Sequence, residues 1–223
     1  MTDVSRLGGG YATSQADPHP TIEAVIAATK DGDREACLVV VAGPPGVGKS
    51  TVCVQLLNLL PGSLLIDKDW CAGPFILEAA RQSGVDESDA YGTGDYWRRL
   101  RPLEYSGAVT TACANLRGRR TVLLTGGWGP ELSVESFWLR LTGAIAPARL
   151  VVLHLDAPDL ISWRQRMVAR GSRDDLPWFD TFAAAVTRFP VWSGAHRLKT
   201  NRPLAAVVQD AIQMLRQEVG ASS

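Results

Sequence analysis

The chain has 223 residues, enough to bury the full core of one α/β domain. Its 23 basic residues balance 23 acidic ones, so no overall positive field gathers a nucleic acid backbone, and nucleic acid is not the expected partner. No stretch reaches the roughly eighteen apolar residues of a membrane helix, and no basic start is followed by an apolar core, which points to a cytoplasmic protein with no membrane partner.

Residues 1–18 hold three consecutive glycines and, at their end, the start of the run Asp17-Pro18-His19-Pro20. They show no apolar period and read as a flexible tail ahead of a single domain over 19–223. Thr21 can cap a short helix to about Lys30. Cys37 to Ala42 is an unbroken apolar run rich in β-branched residues, as in a strand buried on both faces. Helical spacing runs from Lys49 to Leu60 and stops at Pro61-Gly62. Leu64-Leu65-Ile66 reads as a second strand ending at Asp67-Lys68-Asp69.

Helices are expected from Pro74 to Arg81 and from Asp95 to Leu116, then a strand from Thr121 to Thr125 and a helix from Leu132 to Thr142. A strand from Arg149 to Leu155 follows, then a helix from Pro158 to Arg170 that begins on proline. A weak strand near His196 to Lys199 and a helix from Pro203 to Glu218 close the chain. The alternation predicts an α/β fold, a parallel sheet with helices on both faces and ligands at the carboxyl ends of the strands. Cys37, Cys53, Cys71 and Cys113 are scattered through apolar surroundings and read as structural thiols.

The segment Gly43-Pro44-Pro45-Gly46-Val47-Gly48-Lys49-Ser50, with Thr51 after it, follows a buried strand and opens a helix. Its glycines let backbone N–H groups turn inward beside the positive helix end, a cradle for a polyphosphate. Lys49 is placed for the β- and γ-phosphates and Ser50 for Mg²⁺. No guanine signature is present, Lys199-Thr200-Asn201-Arg202 being the nearest stretch, so ATP is expected rather than GTP.

Asp67 and Asp69, two apart on an extended stretch, would face one side with Lys68 turned away. Carboxylates there can orient an acceptor hydroxyl, take its proton, or help hold Mg²⁺, the last role falling to Asp67; one of them could instead cap the next helix. Arg166, Arg170 and Arg173 line one helical face near Gly171, after which the chain to Trp178 reads as a flap. Such arginines suit a lid that closes over a triphosphate and stabilises the transferring group, or a solvated basic helix face. Arg101 and Tyr105, in the run from Tyr96 to Tyr105, could meet the acceptor or belong to surface and core. Trp128 could wall the acceptor pocket or simply pack. Thr125-Gly126-Gly127-Trp128 lacks the acid that motor-type ATPases carry at this strand end. His154, inside an apolar strand, reads as a core residue.

This arrangement resembles the small P-loop kinases of hydroxyl groups, a set that includes chloramphenicol phosphotransferase, zeta-type toxins and the kinase part of polynucleotide kinases. Gly43 to Ser50 is similar to their phosphate loop. Asp67-Lys68-Asp69 is similar to their D-x-D, and Leu153 to Pro158 through Arg173-Asp174 to their fourth strand, helix and lid. The resemblance implies that Asp69 is the base. It also implies an ATP- and Mg²⁺-dependent transfer to a small-molecule alcohol, such as an antibiotic or a sugar-nucleotide, with inactivation or resistance as the purpose. A polynucleotide end kinase and an ATP-binding regulatory module remain as alternatives, and exposed tryptophans would suit a homo-oligomer.

Overall fold

The computed structural model describes residues 17–171 and 176–220, so nearly all of the tail expected over 1–18 lies outside the described residues. Five strands, β1 (Cys37–Ala42), β2 (Leu64–Asp67), β3 (Thr121–Thr125), β4 (Arg149–Asp156) and β5 (His196–Lys199), form one sheet in the order β2-β3-β1-β4-β5. Every neighbouring pair is parallel. Parallel pairs need crossovers, and helices on the two faces supply them. Their ranges are α1 (His19–Ala28), α2 (Lys49–Leu59), α3 (Lys68–Gln82), α4 (Arg101–Asn115), α5 (Glu135–Ile145), α6 (Leu160–Ala169), α7 (Leu176–Thr187) and α8 (Leu204–Gly220).

The two faces of β1 show how the sequence makes the layers. Leu38, Val40 and Ala42 pack with α1, α4 and α5 around Tyr105, Val109, Phe137 and Trp138. The alternate residues Cys37, Val39 and Val41 pack with α2 and α8 through Val52, Leu56, Val208 and Ala211. A strand flanked on both sides by such helices has no solvent face, hence its continuous apolar run. Two smaller clusters stand apart. One joins Ile76, Leu77 and Ala80 of α3 to Ala90, Tyr96 and Trp97; the other joins Trp163 and Met167 of α6 to Phe179, Phe182 and Ala183 of α7.

Several elements differ from expectation. Helix α3 begins directly after Asp67 rather than at Pro74, because the Asp67 carboxylate caps it by accepting from Asp69 N–H at 3.0 Å. Pro74 therefore sits inside the helix, and burial of Ile76, Leu77 and Ala80 offsets the lost hydrogen bond. The stretch from Asp95 reaches α4 through a π-helical turn at Tyr96–Leu100, preceded by a 3₁₀ turn at Glu87–Gly92. A 3₁₀ turn at Glu131–Ser133 replaces the start of the helix expected at Leu132. Pro158 precedes α6, whose cap is Asp159, accepting from Ser162 N–H at 2.9 Å. Trp178, expected in a flap, lies in α7 and stacks on Phe182 with ring centroids 5.1 Å apart. Among the cysteines, Cys37, Cys53 and Cys113 are buried while Cys71 is exposed. No helix among the described residues is long and apolar enough to cross a membrane.

Candidate active site

A cavity of about 650 Å³ opens where β1, β2, β3 and β5 end, lined by the phosphate loop, the start of α3, the turns before α4, the end of α6 and the loop after β5. The β1–β3 ladder continues into it: Gly126 N–H donates to the Val41 carbonyl at 3.2 Å and Gly43 N–H to that of Gly127 at 3.3 Å. This pins the root of the loop against the Gly126-Gly127 turn. Gly43 has φ 138°, and a Cβ there would sit 2.5 Å from the Leu155 carbonyl oxygen. Gly46 has φ 80°, and a Cβ there would meet the Met167 sulfur at 2.5 Å. These two positions demand glycine on both conformational and steric grounds.

The remainder of the loop is held by α6. Trp163 Nε1 donates to the Pro45 carbonyl at 2.8 Å, and Met167 sits over Gly46. Val47 is buried, Gly48 caps α2 in the left-handed conformation, and Thr51 also reaches the cavity. Lys49 Nζ donates to the Pro44 carbonyl at 3.0 Å. Desolvation pushes its ammonium down to about 8, partly opposed by Asp69 and reinforced by Arg170.

Anionic phosphates beside Lys49 would restore its proton. Affinity for ATP–Mg²⁺ is therefore expected to hold up to about pH 8 and then to weaken by roughly tenfold per pH unit. The sign follows because the bound state retains a proton that the free protein releases. Titration calorimetry in two buffers of different ionisation heat, just above that pH, should register proton uptake; affinity flat far into the alkaline range would refute it.

Ser50 Oγ donates to Asp67 Oδ2 at 3.0 Å, bringing together the hydroxyl and carboxylate expected at the metal position. Burial raises the Asp67 pKa and the neighbouring Asp69 raises it further, while hydrogen bonds from Ser50 and the Asp69 amide oppose the rise. A cation here would relieve that cost. Among the described residues no three His, Cys, Asp or Glu side chains gather as a metal centre. The pair instead suits Mg²⁺, which takes one or two protein ligands and completes its shell with phosphate and water.

Asp69 lies in the first turn of α3 rather than on an extended stretch, and Lys68 is not turned away. Lys68 Nζ donates to Asp69 Oδ1 at 2.6 Å and to Glu104 Oε1 at 3.0 Å, and it stands 5.1 Å from the centroid of the Tyr105 ring. The reason is geometric: strand alternation ends at Asp67, and successive helical residues lie on neighbouring faces. Burial alone would raise the Asp69 pKa, but Lys68, through its charge and hydrogen bond, together with Lys49 and Arg170, outweighs it and holds the carboxyl below its ordinary value. Glu104, raised chiefly by burial, also accepts from Tyr96 Oη at 2.7 Å.

Of the arginines, Arg166 Nη2 donates to the Thr200 carbonyl at 2.7 Å, and Thr200 Oγ1 donates to that of Asp156 at 2.7 Å. These bonds tie α6 to the loop after β5. Arg170 ends α6 on the cavity lining and acts electrostatically on both Lys49 and Asp69. Arg173 lies outside the described residues, as do Asp174 and Asp175.

Arg101 and Trp128, both expected near the acceptor, are placed differently. Arg101 is 1% exposed; its guanidinium forks onto Glu131, with Nη2 2.8 Å from Oε2, donates to Thr21 Oγ1 at 2.9 Å, and stacks over the Tyr105 ring. It also lies on the cavity lining. Trp128, also 1% exposed, packs against Tyr105, Phe137 and Trp138 at the unusual φ of 54°, a core position outside the cavity lining. Tyr105 does face the cavity. His154 is buried, as expected of a core residue, but its Nδ1 lies 2.8 Å from Asp156 Oδ1. Lys68, Glu104, Tyr91, Thr200 and Arg202 were not singled out from the sequence. The rule that loops at strand ends line the crevice would have flagged the last two.

The fold is that of the P-loop α/β proteins, a parallel sheet whose central strand leads through a glycine-rich loop into a helix. Solved structures with the same fold include a gluconokinase from Sinorhizobium meliloti 1021, at 20% identity over 85% of this chain and 97% of that one, with a TM-score of 0.53. A sugar kinase from Janibacter sp. HTCC2649 also has 20% identity and a TM-score of 0.53, over 84% of this chain and 99% of that one. At such identity the likeness is one of fold. No family model and no curated protein matches the sequence.

Proposed function

We propose that the chain is an ATP- and Mg²⁺-dependent kinase that transfers the γ-phosphoryl group to a hydroxyl of a small molecule. The observation that carries this reading is the division of labour around Asp67 and Asp69. Asp67 bonds the loop hydroxyl of Ser50, while Asp69, one helical residue beyond Lys68, opens towards a second, aromatic part of the same cavity. An ATP-binding regulatory module would need the first arrangement and not the second.

The phosphate-loop amides and Lys49 hold the triphosphate, and Mg²⁺ at Ser50 and Asp67 supplies charge neutralisation when bound. Asp69 orients the acceptor hydroxyl and receives its proton as the oxygen bonds to the γ-phosphorus and the bond to the β–γ bridging oxygen breaks, releasing ADP. Arg166 and Arg170, with Arg173, balance charge on the moving group. Balanced net charge argues against a polynucleotide end kinase. Sugar-type polyols, suggested by the names of the fold neighbours, join antibiotics and sugar-nucleotides as acceptor classes to test; with an antibiotic acceptor, the purpose would be resistance.

The test is transfer of labelled γ-phosphate from ATP–Mg²⁺ into a small-molecule extract and an antibiotic panel. The native chain is expected to give a labelled product and Lys49→Ala to lose at least about a hundredfold in rate, the scale of removing one preorganised charge from phosphoryl transfer. A native protein that binds ATP and labels nothing would favour the regulatory module.

A further inference from the structure

The part of the cavity beyond Asp69 is built by α3, the turns before α4 and the first turns of α4. Its lining is aromatic, with Tyr91, Tyr96, Trp97 and Tyr105 on the wall and Trp70 at the rim, where it is 58% exposed. The charges in it are already matched. Lys68 is shared between the carboxylates of Asp69 and Glu104, and Arg101 is engaged by Glu131 and Thr21. The other cations on the described lining belong to the nucleotide side: Lys49 in the phosphate loop, Arg166 and Arg170 on the helix packed over that loop, and Arg202 beyond β5, paired with Asp210 at 2.7 Å.

An acidic group brought into this space would face one ammonium that already serves two carboxylates, and an unmatched buried anion is strongly disfavoured. A ring face, by contrast, finds tyrosine and tryptophan planes to stack on. Moreover, the Tyr91 hydroxyl is buried on this lining with no hydrogen-bond partner. A buried orphan hydroxyl in a cavity wall is a ready position for a ligand's hydroxyl.

We propose that the acceptor is a ring-bearing alcohol with no acidic group, neutral or amine-bearing, with its ring on the aromatic wall and one hydroxyl bonded to Tyr91 Oη. This rests on the kinase reading above and narrows it. Sugar acids and sugar-nucleotides are excluded as acceptors, and uncharged or cationic cyclic polyols are retained.

The test isolates the phosphorylated products formed by the full chain from labelled ATP–Mg²⁺ and a small-molecule cell extract, removes the phosphate enzymatically, and passes the released alcohol over an anion-exchange resin at neutral pH. Flow-through is the expected result; retention overturns the proposal while leaving the kinase reading intact. If no product is labelled, the kinase reading falls and the proposal with it. With the released alcohol as substrate, Tyr91→Phe is expected to raise KM by roughly 2- to 10-fold, the scale of one neutral hydrogen bond, with kcat retained. An unchanged KM removes the assignment of Tyr91.

Discussion

Asp69→Asn is expected to slow phosphoryl transfer by roughly 10²- to 10⁴-fold, the usual contribution of a positioned general base, while ATP still binds. The substitution keeps the shape of the side chain and removes only its charge and basicity. Lys68, which holds Asp69 at 2.6 Å, keeps its second carboxylate, Glu104, at 3.0 Å, so α3 should retain its start. The same contacts set the pH profile. Lys68 and its neighbours keep the Asp69 pKa below its ordinary value, so the acid limb of kcat/KM belongs below the usual carboxylate range. Removing the ammonium in Lys68→Met should move that limb to higher pH. Steady-state rates with the acceptor from the labelling experiment, measured over pH, check both results. Transfer by Asp69→Asn at the native rate would show that another group takes the proton.

Glu131→Gln is expected to cost about 3 kcal/mol, the lower end of what breaking one side of a buried ion pair costs, because glutamine still offers one acceptor oxygen. For a chain of this size that corresponds to a fall in Tm of roughly 6–12 °C by calorimetry. Glu131 is fully buried and Arg101 nearly so. The pair joins α4 to the turn before α5, and Thr21 extends it to α1. Left with a neutral partner, the guanidinium would stay desolvated without its charge matched. Nucleotide affinity should change little, because neither residue touches the phosphate loop. An unchanged Tm would mean that the pair is dispensable to folding.

What could be read from the sequence was local. The apolar run of β1, the phosphate loop and the strand positions follow from contiguous residues whose period or composition is sufficient in itself. Asp67 and Asp69 were also visible, but the direction of Lys68 was not. That depends on where strand geometry gives way to helix, which a single capping carboxylate decides. Arg101 illustrates a different obstacle. In sequence it lies among residues suited to meeting a substrate, and only the fold brings Glu131, thirty positions away, against it. The sequence leaves Trp128 open between walling the pocket and packing, since a strand end usually opens into the crevice, whereas the left-handed turn here sends the indole back into the core. Helix α7 escaped notice because its aromatic residues follow a glycine and two adjacent aspartates that punctuate the chain like a loop.

The small cluster of α3 with the turns before α4 is separate from the two large cores that flank the sheet. The part of the proposed acceptor wall made by Tyr91, Tyr96 and Trp97 thus rests on a foundation of its own, while Tyr105 belongs to the core on the sheet. Exchanges there, at Tyr91 or Trp97 for instance, can reshape the chamber without disturbing the strands that hold the phosphate loop. Such a layout would let one side of the cavity vary in shape while the glycine-rich loop and the sheet beneath it stay fixed.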